Sequence, residues 1–443
     1  MFAATGAMAQ PSLKAGERLE AVGAAYAADQ RFMGAALVAQ DGRILLDRGF
    51  GSADLEWGLP NTPEVKFRIG SLTKQFTAAL VLRLQEEGKL NVADPVSRYL
   101  PAAPAAWAKV TLADLLNQTS GIADFTDLPS FPVWSASPHT PKEILALVAD
   151  KPLAFEPGAK FVYSNTNYEI LGAVIEAVDG RPYAQALHDR ILGPLGLTDT
   201  GLDADDLILA HRASGYAYRG HGLVYDRSES MSVPYAAGAM YSTTHDLLRW
   251  EQALFGGKVL SAPSLALMTK ARLGDYAMGL IAQTHQGEPI IWHNGGIEGF
   301  HTYLAWLPQR RLVVVVLSNV VTAPVERIGL QLIDAASGRQ VILPSDRKAQ
   351  PIAAADLERF VGTFVFPDQP APTKIEIENG SLVFGQGRRP LTYLGQKAGH
   401  PVFWDASRDY ELEFTPDAKG AMTSVILQAG DVTLTGRRDP RAG

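Results

Sequence analysis

The chain has 443 residues, 47% of them apolar and 20% charged, with a net charge of −7. That length exceeds one ordinary core and suits two or three domains, while a mildly acidic balance without a dense basic cluster excludes an electrostatic nucleic-acid binder. Cysteine is absent, which excludes disulfides, thiol catalysis and cysteine-ligated metal and leaves the redox compartment open.

Residues 1–11 read as a signal-peptide remnant or a disordered tail. Ala7-Met8-Ala9 has the small-x-small pattern of a secretory cleavage site, but the basic region and most of the apolar region are missing. Leu13, Leu19, Val22 and Tyr26 predict a helix within 12–30. Phe32 to Gln40 predicts a strand, Asp41-Gly42 a hairpin turn, and Arg43 to Gly49 the returning strand. A helix opens at Ser71 and runs to about Glu87, with Gly88 as its stop.

From Pro101 to Tyr163 the pattern is helices and long loops. A helix follows from Tyr168 to Val178, closed by Asp179-Gly180. Ser242-Thr243-Thr244-His245-Asp246 reads as a capping box opening a helix over Leu247 to Leu254. Strands return at Glu288 to Trp292, His301 to Leu307 and Arg311 to Ser318, and a helix over Pro324 to Ala336 follows. The most apolar run, Leu312 to Leu317, is far too short to span a membrane and reads as a buried strand. Strands at both ends of 12–342 imply one α+β body whose sheet is assembled from both ends.

Residues 343–355 read as a linker. Beyond it, over 356–443, seven short strands recur: Gly362 to Phe366, Lys374 to Glu378, Leu382 to Phe384, Pro401 to Trp404, Glu411 to Phe414, Thr423 to Leu427 and Val432 to Gly436. They predict a small antiparallel barrel or sandwich. Alternating Phe364, Phe366, Ile375, Ile377, Leu382, Phe384, Leu412 and Phe414 would fill one side of it.

Three short motifs carry chemistry. In Ser71-Leu72-Thr73-Lys74 the serine and lysine are three apart on a helix, so they share a face. A serine hydroxyl needs a base to become a nucleophile, and a helix N-terminus favours the negative charge that follows. Alone, the pair reads equally as a helix cap followed by a solvated lysine. Tyr163-Ser164-Asn165 adds a tyrosine able to share proton transfer and an asparagine amide with both donor and acceptor. Trp292-His293-Asn294-Gly295-Gly296 ends a predicted strand, where glycines permit close backbone approach and a histidine can steady negative charge.

In this order the three motifs resemble those of the penicillin-recognising serine hydrolases, in the branch of class C β-lactamases and D-alanyl-D-alanine carboxypeptidases. Flanking stretches are similar too: Gly88-Lys89-Leu90-Asn91, Asp94-Pro95-Val96, Thr119-Ser120-Gly121-Ile122, Pro194-Leu195-Gly196-Leu197, and Ala237 to Thr243. The resemblance covers about residues 15–340, and the region after about 350 resembles an appended lipocalin-like domain. It implies an α+β β-lactamase/transpeptidase-like fold, an antiparallel sheet flanked by helices plus an all-helical lobe, followed by a small antiparallel β-barrel.

The resemblance further implies that Ser71 is acylated, with Lys74 and Tyr163 sharing the proton work and the choice of base left open. It places the oxyanion on the backbone N–H groups of Ser71 and Gly296, and the substrate on Asn165, His293, Asn294 and Gly295. It requires no cofactor and no metal. Partners would be a small-molecule or peptide substrate, with β-lactams as possible acylating ligands. The expected activity is hydrolysis of amide or peptide bonds of D-amino-acid or cell-wall type. A carboxylesterase and a slow β-lactamase or penicillin-binding sensor are the alternatives. Such a substrate implies a periplasmic or secreted protein.

Two residues depart from the pattern: His293 stands where classical β-lactamases and most penicillin-binding transpeptidases carry lysine, as in certain D-peptidases, and Gln118 where histidine is common. The first predicts poor lactam hydrolysis, and Gln118 is read as structural. Pocket walls are expected from 121–155 and 201–236, with Tyr216, Tyr218 and Tyr235 as candidates.

Overall fold

Six segments with apolar residues on alternate or successive positions build one antiparallel sheet. Its order is Ile281–His285, Glu288–Ile297, Phe300–Leu307, Leu312–Ser318, Gly34–Gln40, Arg43–Phe50. The computed structural model describes residues 15–28, 31–219, 222–227, 229–367, 371–385, 388–406, 410–417, 420–429 and 432–439. The Ala7-Met8-Ala9 stretch and Leu13 lie outside the described residues. The strand nearest the N-terminus pairs with one from the far end of the segment, Gly34 opposite Ser318 and Gln40 opposite Leu312. The sheet is therefore assembled from both ends, as expected.

Leu312–Ser318 is buried at every position because both faces of the sheet are covered. Val313, Val315 and Leu317 join the core shared with the helical lobe, including Phe76, Leu80 and Trp250. Leu312, Val314 and Val316 point the other way, into a core with Leu19, Val22, Ile328 and Leu332. Those four residues come from the helices Ala15–Ala27 and Val325–Ala336. The period of two thus divides one strand between two cores.

Some elements differ from expectation. The edge strand Ile281–His285 had no predicted counterpart, since it is mostly half-exposed or exposed and lacks an apolar alternation. Glu288–Ile297 runs five residues past Trp292, so the third motif lies inside a strand and not at its end. The helix Thr244–Phe255 has Thr243 as its cap, accepting from the Asp246 N–H at 3.2 Å. The reciprocal half of the expected box is replaced: the Asp246 carboxylate holds Arg249, Asp199 N and Thr200.

The C-terminal strands close into an eight-stranded antiparallel barrel with neighbours in chain order, the up-and-down arrangement that lipocalins use. The strand missed in the sequence is Arg389–Lys397, which contains Pro390 and a bulge between Tyr393 and Gly395. The interior is packed with aromatics: Phe360 lies 4.8 Å from Phe403 and 5.0 Å from Phe414, ring to ring and edge-on. Residues before the barrel are tied to both sides. Gln331 Nε2 donates to Ile342 O at 2.8 Å, and Gln350 N donates to Tyr393 O at 2.8 Å. No helix among the described residues is long and apolar enough to cross a membrane.

Candidate active site

Ser71 sits in the 3-10 turn Gly70–Leu72, which runs straight into the helix Thr73–Glu86. Leu72 N to Ile69 O closes the first turn, so the Ser71 N–H precedes the helical bonds and keeps the character of a free helix-start amide. One turn on, the fully buried Lys74 folds back. Its Nζ lies 3.0 Å from Ser71 Oγ, 2.9 Å from Asn165 Oδ1 and 2.9 Å from Ala237 O. The last two are pure acceptors and take two N–H groups. The remaining direction faces Ser71, with a proton in the ammonium and a lone pair in the amine.

Burial pulls Lys74 down to about 7, against the opposing pull of Asp124 and Glu169. Tyr163 OH donates to Ser71 Oγ at 2.8 Å. Burial, with Tyr276 beside it, pushes that phenol well above its usual range, so Tyr163 keeps its proton. Ser71 Oγ therefore lies between a phenol that gives a hydrogen bond and an amine that can accept one.

The second motif is fixed by residues that no motif announced. The Asp124 carboxylate accepts from the Asn165 backbone N–H at 2.9 Å and from its Nδ2 at 3.1 Å, which turns Oδ1 toward Lys74. Gln118 Oε1 accepts from Ser164 N at 3.0 Å and from the Asn167 side chain. Gln118 thus pins the start of the helix Asn165–Asp179 from below, a structural position. Asp124 gave no signal in the sequence because its contact is long-range and its neighbours read as loop.

In the third motif alternate side chains face opposite ways. Gly295 packs on the Ser71 turn, where an added Cβ would stand 2.0 Å from Ile69 O. Gly70 faces it with φ +52°, and a Cβ there would meet the Gly295 and Gly296 backbone at 3.0 Å. Only glycines permit that approach. Thr302 Oγ1 ties the two chains by donating to Ile69 O at 2.9 Å, and it lies 3.2 Å from Gly295 O.

Ile297 and Phe300 close a two-residue hairpin, so they form the hydrogen-bonded pair and Gly296–His301 the non-bonded one. The Gly296 N–H therefore points away from its partner strand. It faces the outer edge, which Ile281–His285 no longer covers beyond Trp292.

Two residues expected to contact substrate are engaged within the fold. His293 is 1% exposed, and both ring nitrogens are occupied. Nδ1–H donates to Asn294 O at 2.5 Å, which leaves Nε2 to accept from Tyr276 OH at 3.2 Å. Burial pushes His293 down to about 4, so it is neutral at pH 7 and supplies no cation. Asn294, on the opposite face, donates to Glu326 Oε1 at 2.5 Å and braces the helix Val325–Ala336.

A cleft of about 320 Å³ opens beside Asn165, Ala237 and Gly296. Its walls come in part from the two stretches expected, through Phe125, Phe131, Val233 and Pro234, and in part from Gly296, Ile297 and Val321. Tyr216, Tyr218 and Tyr235 do not line it. Tyr216 OH bonds Leu55 N and Glu56, Tyr218 carries Arg31 over its ring, and Tyr235 is buried against Tyr183.

Comparison with known proteins places this geometry. The family model described as Beta-lactamase matches residues 19–337. Penicillin-binding protein 4* of Bacillus subtilis is 28% identical over 435 residues, 90% of this chain and 94% of the relative. The structure of a D-stereospecific amidohydrolase from Streptomyces sp. is 29% identical with a TM-score of 0.62, covering 73% of this chain and 98% of that one. An octameric penicillin-binding protein homologue from Pyrococcus abyssi has a TM-score of 0.69 at 24% identity over 95% of this chain and 99% of its own, which bears on the fold alone. With its matched region spanning the sheet, the helical lobe and all three motifs, the chain belongs to the Beta-lactamase family.

Proposed function

We propose that the chain is an acyl-serine hydrolase of amide or peptide bonds in D-amino-acid or cell-wall-like substrates. The observation that carries this is the double contact on Ser71 Oγ, 3.0 Å from Lys74 Nζ and 2.8 Å from Tyr163 OH. Lys74, as the neutral amine that burial favours, takes the Ser71 proton while Oγ attacks the carbonyl. Tyr163, still protonated, passes its proton to the leaving group, and the Lys74 ammonium beside it, 4.9 Å from its ring centroid, re-protonates the phenolate. The oxyanion rests on the Ser71 and Gly296 N–H groups, donors whose removal costs about 3–4 kcal/mol in comparable sites. Water then enters where the leaving group stood, and the same two residues return the proton.

The name of the Streptomyces neighbour supports the amide reading. A neutral, buried His293 supports weak handling of β-lactams, since the third motif offers no cation to their carboxylate. Placement in the periplasm or beyond accords with a cell-wall substrate, and fractionation of the native host checks it.

The test is a panel of D- and L-amino-acid anilides, p-nitrophenyl esters, a D-Ala-D-Ala peptide and a chromogenic cephalosporin, run on wild type and Ser71→Ala. Turnover of an anilide or peptide that vanishes in Ser71→Ala is the expected result. Turnover of esters alone makes the protein an esterase. A stoichiometric burst that stalls makes it a sensor.

A further inference from the structure

The cleft beside Asn165 and Gly296 is lined by apolar side chains and by three carboxyls: Asp226, Glu229 and Glu298. Two of them have their own cation. Asp226 pairs with Arg219 at 2.8 Å and accepts from Gly299 N at 2.9 Å. Glu298 pairs with Arg227, whose guanidinium also lies over the Phe131 ring at 5.6 Å. Glu229 lines the same cleft and is only 6% exposed, yet no ion pair joins it to a cation among the described residues. The two cations that act on it are committed elsewhere, Arg227 to Glu298 and Arg68 to Asp203 at 2.8 Å.

The partner Glu229 does have is another acid, the Glu298 side chain. Burial and that neighbour push Glu229 up to about 10, so it holds a proton when the cleft is empty. A more than nine-tenths buried carboxyl, aimed into a substrate-sized cleft and facing a second carboxyl, is costly for the fold. An arriving cation removes that cost. It takes the two carboxyls as acceptors, and the Glu229 proton leaves to solvent.

We infer that Glu229, with Glu298 beside it, receives an ammonium group of the substrate, so the site selects compounds that carry a free amine next to an apolar side chain. The apolar side chain would lie against Phe125, Phe131, Val233 and Ile297. This rests on the acyl-serine reading above and narrows its substrate class.

The test compares phenylalanine p-nitroanilide, as each enantiomer, with its N-acetyl derivative, which lacks the charge and is larger by an acetyl group. Wild type is expected to favour the free amine by about tenfold or more in kcat/KM, as one desolvated charge contact requires. Glu229→Gln keeps the shape of the protonated acid and should bring that preference to within about twofold, through KM and not kcat. Melting temperature and circular dichroism report whether the variant folds.

A second measurement needs no variant. Benzylamine should inhibit Ser71-dependent ester or anilide turnover competitively, and benzyl alcohol should do so at least about tenfold more weakly. Equal handling of amine and N-acetyl substrates by wild type, or equal inhibition by the two benzyl compounds, overturns the inference while leaving the hydrolase intact. Absence of any Ser71-dependent turnover or covalent labelling overturns the acyl-serine reading itself.

Discussion

Lys74 is the base of the proposed mechanism, and its burial gives two measurable signatures. An amine held at about 7 loses its proton across neutral pH. Covalent labelling of wild type by a fluorophosphonate should therefore accelerate from about pH 5.5 to about pH 8 and then level off. A flat profile over that range would remove Lys74 as the base. Lys74→Ala and Tyr163→Phe should each slow labelling by about 10²–10⁴-fold, the usual worth of a positioned proton-transfer group.

The second signature is thermodynamic. The folded state disfavours the charged amine, so below about pH 7, where folded and unfolded chains are both protonated, the full cost is present. It fades as pH rises from the folded value toward the unfolded 10.5. Lys74→Met should accordingly raise the melting temperature at pH 6, by on the order of 4 kcal/mol of stability, and the gain should shrink by pH 9. A melting temperature that falls on this substitution would mean that the three contacts of Nζ outweigh its desolvation.

At the scale of elements, the site is a junction between one turn and one strand. Gly70 and Gly295 let the two backbones meet, and Thr302 holds them. Gly295→Ala forces a Cβ against Ile69 O at 2.0 Å and must push Ser71 away from the Gly296 N–H. The expected result is a loss of labelling out of proportion to stability, about 1–3 kcal/mol by overpacking. Thr302→Val should show a milder form of the same split. Unchanged labelling in Gly295→Ala would show that the turn and the strand move independently.

What was legible in the sequence follows from range. Ser71 and Lys74 lie within one helical turn, and the strands near Leu312 carry their own apolar pattern, so both could be read locally. Asp124, Ala237 and Tyr276 could not, because each meets its partner across 17 to 163 residues of chain. The burial of His293 and the tie of Asn294 to Glu326 went unread for another reason. Placing the strand end at Trp292 hid the alternation that turns one side chain into the core and the other toward Glu326.

For the whole molecule, the barrel core and the two sheet cores share no buried residue. The polar ties across residues 343–355, such as Arg347 to Glu411 at 3.1 Å, are few. Calorimetry should therefore resolve two transitions, and a chain ended near Gln340 should keep the higher-enthalpy one and still be labelled at Ser71. A truncated protein that folds but resists labelling would make the barrel part of the catalytic site.

The placement of Gly34–Gln40 between Arg43–Phe50 and Leu312–Ser318 also has a consequence for biosynthesis. The first hairpin leaves the ribosome long before the strand that completes its inner edge. Until then it presents an unpaired edge that is apolar up to Gln40, the kind of surface that seeds wrong pairings. Folding of the hydrolase body must wait for translation to pass Ser318. A nascent chain arrested just short of that point should bind holdase chaperones, and one arrested well beyond it should have released them.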